Sequence, residues 1–180
     1  KELEDVEKEV EEVAKRVEDS IRRNREVVEK VKDEVRRLLD RNDELVDRVA
    51  KEITEAIKKG KDDREVEKRV TEVKKHSEDL LRDVERLVEE VKRHSREVTK
   101  RNRDLVTDVR RKLEEVVRRR DEEKVKKVLE DVRRRLEELI KRSEDSAREV
   151  EKRLEDLRRE VEESLERVER TLEDLVRRVK

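Results

Sequence analysis

The residues of this chain that could carry chemistry are a few uncharged polar side chains set among apolar ones. They recur in pairs separated by 18 residues: Asn24 and Asn42, His76 and His94, Ser77 and Ser95, and Ser146 and Ser164. Histidine and serine are the parts of a nucleophilic site, and histidine is also a common ligand of metal ions. The pairs therefore raise two hypotheses, a nucleophilic catalytic site and a metal site.

Neither hypothesis fits the spacing. Two histidines 18 residues apart on one helix would lie about 27 Å apart, too far to share one metal ion. The same polar set occurs twice, in stretches whose pattern is helical, with no loop beside it that could supply an oxyanion hole. We therefore predict that the chain is not an enzyme and has no catalytic residues, no metal site and no cofactor.

The composition excludes further classes of function. The 180 residues include 54 Lys and Arg and 55 Asp and Glu, so the net charge of -1 offers no bulk attraction to nucleic acid or to an anionic membrane. With no cysteine and a single glycine, the chain has no disulfide, no thiolate site and no phosphate-binding loop. No apolar run approaches the roughly 18 residues of a membrane span. We expect a soluble chain without a nucleic-acid or membrane partner.

Apolar residues recur in alternating steps of three and four, which is the spacing of one face of an α-helix. The Glu, Lys, Arg and Asp residues between them tolerate an exposed helical surface. The pattern predicts an all-α chain. In the first third, nothing interrupts the pattern before Gly60, and the core candidates are Leu3, Val6, Val10, Val13, Val17, Ile21, Asn24, Val28, Val31, Val35, Leu38, Asn42, Val46, Val49, Ile53 and Ile57.

Two short segments divide the pattern into thirds. In the first, lysines precede Gly60, a residue typical of helix ends, and Asp62 is the predicted cap of the next helix. In the second, three arginines give way to acidic residues at Asp121, the predicted cap of the third helix. Loops this short force antiparallel neighbours, in an up-down-up bundle. We predict a single domain over residues 1–180, with helices at about 2–59, 62–119 and 121–179.

The repeat of 18 residues corresponds to five turns of an undistorted helix, so we expect three long, nearly straight helices. In an antiparallel pair, residues at one height have residue numbers with a constant sum. Each Asn–His pair sums to 118 and each His–Ser pair sums to 240, so the midpoints, residues 59 and 120, fall at the two segments that divide the chain. The predicted cross-sections are Asn24 with His94 and Ser146, and Asn42 with His76 and Ser164.

These two polar layers have a structural interpretation. On a helical wheel, His76 and His94 lie at one edge of the second helix's apolar face, and Ser77 and Ser95 lie at the other. Buried polar groups need hydrogen-bond partners, so a slipped register would leave donors unpaired at about 1–3 kcal/mol each. We therefore predict that the layers fix register and topology. Further polar residues near the first layer could extend its network: Ser20, Asn102 and Ser143.

With these features assembled, the chain resembles a de novo designed, parametrically generated three-helix bundle with buried hydrogen-bond networks. The resemblance rests on the 18-residue repeat, three helices of equal length and two repeated polar layers. It also rests on helix ends whose charges match the helix dipoles and on a composition without Met or aromatic residues. It implies an artificial scaffold with no evolved activity, high thermal stability and no natural localisation beyond the cytoplasm of an expression host.

Two alternatives remain open beside a monomeric scaffold that requires no partner. Adjacent apolar doublets widen the helix faces and favour an assembly component, either a homo-oligomer or an acceptor of a further helix. The doublets are Leu38-Leu39, Leu80-Leu81, Val116-Val117 and Leu139-Ile140. The second alternative is a pH-responsive module. If His76 and His94 are buried, burial lowers the pKa of each imidazole, and stability falls as the pH drops.

Overall fold

The computed structural model describes residues 2–60, 62–120 and 122–179. The described residues form three α-helices of 57 residues each and no strand: α1 (Glu2–Lys58), α2 (Asp63–Arg119) and α3 (Glu123–Val179). The sequence predicted three helices with bounds that differ from these by no more than two residues. Acidic residues open each helix and basic residues close it, as the helix dipole favours.

The end of α1 depends on Gly60. Its backbone has a φ of 70°, in the left-handed region that glycine enters without a steric penalty. Its N–H donates to the carbonyl oxygen of Ile57 at 3.1 Å, and the N–H of Lys59 donates to that of Glu55 at 3.1 Å. These bonds satisfy carbonyl groups of the last turn and allow the chain to leave the helix.

The start of α2 has the cap that the sequence predicted. The Asp62 carboxylate accepts a hydrogen bond from the backbone N–H of Arg64 at 3.3 Å, and the carbonyl oxygen of Asp62 accepts one from Glu65 at 3.2 Å. The side chain thereby satisfies one of the N–H groups that the first turn of a helix leaves unpaired. The cap predicted for the third helix, Asp121, lies outside the described residues.

Each helix contributes a segment to two compact units. The first unit comprises Lys1–Val28 and Val91–Arg153, and the second comprises Glu29–Glu90 and Leu154–Lys180, in both cases over the described residues. The hydrogen bonds of Asn102 stay within the first unit and those of Asn42 within the second.

The first unit has a core of valine and leucine from all three helices. Ion pairs join Glu9 of α1 to Lys112 of α2, and Glu2 to Arg119, so residue numbers rise along one helix as they fall along the other. In this unit α1 and α2 are therefore antiparallel. The buried core residues are Val6, Val10, Val13, Ala14, Val17, Ile21, Val106, Val109, Leu113, Val116, Leu136 and Leu139.

The second unit has the same kind of core. Glu52 of α1 pairs with Arg69 of α2, and Asn42 bonds to Ser77, so these two helices also run in opposite directions here. The buried core residues are Val46, Val49, Ile53, Val66, Val70, Val73, Val168, Leu172 and Leu175. Since valine is a mediocre helix former, the burial of these faces is what holds the long helices together.

Apolar burial is thorough along the chain. No large hydrophobic side chain is exposed among the described residues. Within the same residues, no helix contains a stretch that is both long enough and apolar enough to cross a membrane.

Truncation of a core leucine tests this packing. Leu172 is fully buried, so Leu172→Ala removes packed methyl groups and should lower the free energy of unfolding by about 2–5 kcal/mol. Leu38 in the same unit is half-buried, so Leu38→Ala should cost clearly less, with the same change in helix propensity. Urea unfolding followed by circular dichroism measures both, and equal losses would contradict the packing described here.

Candidate functional site

The first polar site is the Asn102 cluster, made of Ser20, Asn102 and Ser143, one residue from each helix of the first unit. The Asn102 side-chain amide donates to Ser20 Oγ at 2.8 Å and to Ser143 Oγ at 3.0 Å. Ser20 Oγ in turn donates to the backbone carbonyl oxygen of Val17 at 2.8 Å. Both N–H bonds of the amide are thus used, and each reaches a different helix.

The helical spacing explains why these three residues meet. Asn102 lies four residues before the buried Val106, and Ser143 lies four residues after the buried Leu139. Asn102 and Ser143 are 5% and 4% exposed, so their polar groups are removed from water and depend on each other. From the sequence these residues were predicted only to extend a layer at Asn24, but they form a cluster of their own.

The second polar site is the Asn42 cluster, made of Asn42, His76 and Ser77 in the second unit. Asn42 is fully buried, and its side-chain N–H donates to Ser77 Oγ at 3.2 Å. The Asn42 Oδ1 atom lies 3.1 Å from His76 Nδ1 and 3.3 Å from Ser77 Oγ. An amide oxygen only accepts, so this geometry requires a proton on His76 Nδ1.

The predicted burial of the two histidines is wrong. His76 and His94 are both exposed, whereas the next residues, Ser77 and Ser95, are 7% and 2% exposed. Successive residues differ by about 100° around a helix, and the rotation of α2 brings the serine edge of its face inward. The basis of a pH response through buried histidine is therefore absent, although His76 still reaches Asn42 from the surface.

The predicted layer of Asn24, His94 and Ser146 does not form. Asn24 and Ser146 are buried, but no hydrogen bond joins either residue to the other or to His94 within the part of the chain that the structure describes. Ser95 Oγ and Ser146 Oγ are buried hydroxyl groups without a partner there.

The second predicted layer forms only in part. Ser164 is buried, but it makes no hydrogen bond with Asn42 or His76, and Ser77 takes its place. The equal-sum rule placed the α2–α3 turn at residue 120, whereas the midpoint between Arg119 and Glu123 is 121. Side chains also lean toward the N-terminus of their own helix, so contacting residues of an antiparallel pair lie further along both helices.

The inward face of α2 also includes a lysine that was not predicted from the sequence. Lys92 is 8% exposed, although lysine is rarely buried to this extent. Its position four residues after the buried Val88 and three before Ser95 would have identified it as part of the inward face. The inward face of α2 therefore carries a charged residue as well as uncharged polar ones.

The electrostatics of the second unit include one perturbed carboxyl group, that of Asp43. Partial burial raises the pKa of this carboxyl above its ordinary value, the nearby Asp40 and Asp47 raise it further, and Arg167 of α3 lowers it. The charged form of Asp43 is therefore disfavoured in the folded chain. Among the described residues, no group of three or more His, Cys, Asp or Glu side chains is arranged to hold a metal ion.

Comparisons with known proteins give a likeness in structure and none in sequence family. No protein-family model matches the chain, and no curated protein matches it. A solved structure described as a computationally designed three helix bundle is similar to it, with 21% sequence identity, 99% of this chain and 88% of that chain covered, and a TM-score of 0.44. The three-helix bundle architecture itself follows from the helix bounds and core residues given above.

Two serine-to-alanine changes on α2 should have opposite effects. Ser95→Ala removes a buried hydroxyl without a partner and should raise the free energy of unfolding by about 1 kcal/mol. Ser77→Ala removes the partner of the buried Asn42 amide and should lower it by about 1–3 kcal/mol. Both changes have the same effect on helix propensity, and chemical denaturation at neutral pH measures them. Loss of stability in both variants would show that Ser95 is satisfied.

Replacement of Asp43 should stabilise the protein in a pH-dependent way. A carboxyl whose pKa is raised by folding contributes its stability below its unfolded pKa, near 3.8, and loses it as the pH rises through the folded pKa. Asp43→Asn should therefore raise the urea midpoint at pH 7, modestly because the side chain is largely exposed to solvent. The gain should vanish below the ordinary pKa of aspartate.

The control for this change is Asp156→Asn, which removes one negative charge at an exposed position of α3. Urea titrations of both variants across the acid range separate the local effect from the change in net charge. A lower midpoint for Asp43→Asn at pH 7, or a gain that persists in acid, would contradict the predicted direction.

Proposed function

We propose that this chain is a structural scaffold of artificial origin, in which the Asn102 and Asn42 clusters fix helix pairing and register. The observation that carries the proposal is the Asn102 amide, whose two N–H groups each bond to a serine on a different helix. Both hydrogen bonds of the amide form in one register of the three helices. In the adjacent registers the amide would be left without these partners.

The apolar core by itself distinguishes registers poorly. The buried face of α1 repeats the same residue type at 18-residue intervals, as in Val10, Val28 and Val46, or Val13, Val31 and Val49. A helix that slides by one turn moves about 5.4 Å and meets similar valines. The same slide would remove the partners of Asn42 and Asn102, at about 1–3 kcal/mol for each buried group left unpaired. The polar residues therefore favour one arrangement among several of similar apolar burial.

The state of these polar groups supports a role in folding over a role in catalysis. Asn42 is fully buried and Ser77 is nearly so, and both are already hydrogen bonded to each other. A nucleophilic serine needs access to substrate and a base to take up its proton. The hydroxyl groups of Ser77 and Ser143 are instead hydrogen bonded to asparagine side chains of neighbouring helices.

The burial of apolar residues supports a monomer as the proposed oligomeric state. In each apolar doublet one member is buried and the other half-buried, and no large hydrophobic residue is exposed among the described residues. Exposed ion pairs such as Arg22 with Asp19 cover the outer faces and contribute little individually. The assembly alternative would require an exposed apolar face for a further helix.

Removal of both clusters tests the proposed role. We expect a variant with Ser20→Ala, Asn102→Leu, Ser143→Ala, Asn42→Leu and Ser77→Ala to remain helical and at least as stable, because the changes leave no further buried polar group unpaired. Its helices should no longer adopt one unique register. The distribution of distances between spin labels at Glu12 and Asp108 should therefore broaden. Sedimentation equilibrium should show additional species beside the 22.0 kDa chain.

The single substitution Asn102→Leu is the matched control. It strands the hydroxyl group of Ser143 and should lower stability while the spin-label distance stays narrow, because the Asn42 cluster remains. A narrow distance and one mass for the variant without clusters would contradict a register role. A wild-type mass of two or three chains would instead favour the assembly component.

A further inference from the structure

A cleft of about 310 Å³ opens between α2 and α3 in the second unit. Four apolar side chains form its floor, one from α2 and three from α3: Leu81, Leu165, Val168 and Leu172. Leu172 is fully buried and Leu81 is half-buried, so the lining includes both core and boundary side chains. The volume lies at the lower end of the range for small-molecule sites, about 300–1,000 Å³.

The rim of the cleft has an unequal distribution of charge. Glu78, Glu162, Glu166 and Glu169 line it, against one cation, Lys74. Two of these carboxylates are paired on their own helix, Glu162 with the Arg158 Nε atom at 3.3 Å and Glu166 with the Arg170 Nη2 atom at 3.8 Å.

The other two carboxylates line the cleft from different helices. Glu78 belongs to α2 and Glu169 to α3, and neither forms an ion pair with any described residue. An apolar floor between two such carboxylates is complementary to a molecule that has an apolar body and a positive head.

A cleft in the first unit shows the contrast. It lies between α1 and α3 and is lined by Val10, Val128 and Val132 with several acidic residues, among them Glu11. There the guanidinium of Arg135 on α3 pairs with Glu11 on α1, so the protein supplies its own cation across the opening. The described residues provide no such bridge from Glu78 to Glu169.

We propose that the α2–α3 cleft of the second unit binds small cationic amphiphiles, molecules with one apolar group and one ammonium. The apolar group would cover the floor, where each Å² removed from water contributes about 25 cal/mol. The ammonium would lie between Glu78 and Glu169, and an anion of the same shape would be repelled by the rim. Ser77, which also lines the cleft, is committed to Asn42 and takes no part in recognition.

Two probes of matched shape test the proposal. Titration of the wild-type chain with 4-phenylbutylammonium and with 4-phenylbutyrate, followed by methyl NMR, compares opposite charges on one apolar body. We expect the ammonium to bind about tenfold more tightly at low ionic strength, with shifts at the methyl groups of Leu81 and Leu172. The ratio should fall in high salt, because the rim is exposed to solvent.

Paired variants locate the effect. Glu78→Gln with Glu169→Gln should abolish the preference for the ammonium without unfolding the chain, because both side chains are exposed. Glu26→Gln with Glu97→Gln makes the same change of net charge at exposed positions of the first unit and should preserve the preference.

Three results would overturn the proposal. The first is equal affinity for the two probes in the wild-type chain, or no binding of either. The second is an equal loss of the preference for the ammonium in both double variants. That result would show that the preference depends on net charge and not on the cleft. The third is a set of shifts confined to methyl groups outside the cleft. Circular dichroism of each variant confirms that the comparison is made between folded chains.

Discussion

A buried side-chain amide must find hydrogen-bond partners, and the scaffold role proposed for this bundle depends on that constraint. Asn102 satisfies it with hydroxyl groups from the other two helices, and Asn42 with Ser77 and His76 on α2. Apolar packing contributes the larger share of stability, but it is tolerant of direction and of small shifts. Under the proposed function, the few directional bonds in the interior distinguish one alignment of the helices from its neighbours.

Some buried polar groups of the interior have hydrogen-bond partners and others do not. Ser95 Oγ and Ser146 Oγ are buried without a partner among the described residues. These groups occupy inward positions of the same helical faces that carry the satisfied clusters. A polar residue at a core position therefore contributes to specificity only where a neighbouring helix offers a matching group, and elsewhere it reduces stability.

Charge has a different role from the polar interior. Acidic residues at the helix starts and basic residues at the ends match the helix dipoles, and many exposed ion pairs connect neighbouring helices. These pairs are screened by solvent and add little to stability. Negative charge is in local excess at two places. Beside Asp43, partial burial and this charge raise the pKa of that carboxyl, so stability depends on pH there. At the rim of the α2–α3 cleft it favours the proposed cationic ligand.

The sequence by itself determined the features that depend on neighbours along the chain. The apolar spacing, Gly60 and Asp62 set three helices within two residues of their observed bounds, because helix period and capping are local. Only the tertiary structure decided which edge of each face turns inward. His76 and Ser77 differ by one step of about 100°, and the packing of neighbouring helices placed the serine inside and the histidine outside. It also decided that Asn102, and not Asn24, would meet two serines, because residue sums take no account of rotation or of the lean of side chains toward the helix N-terminus.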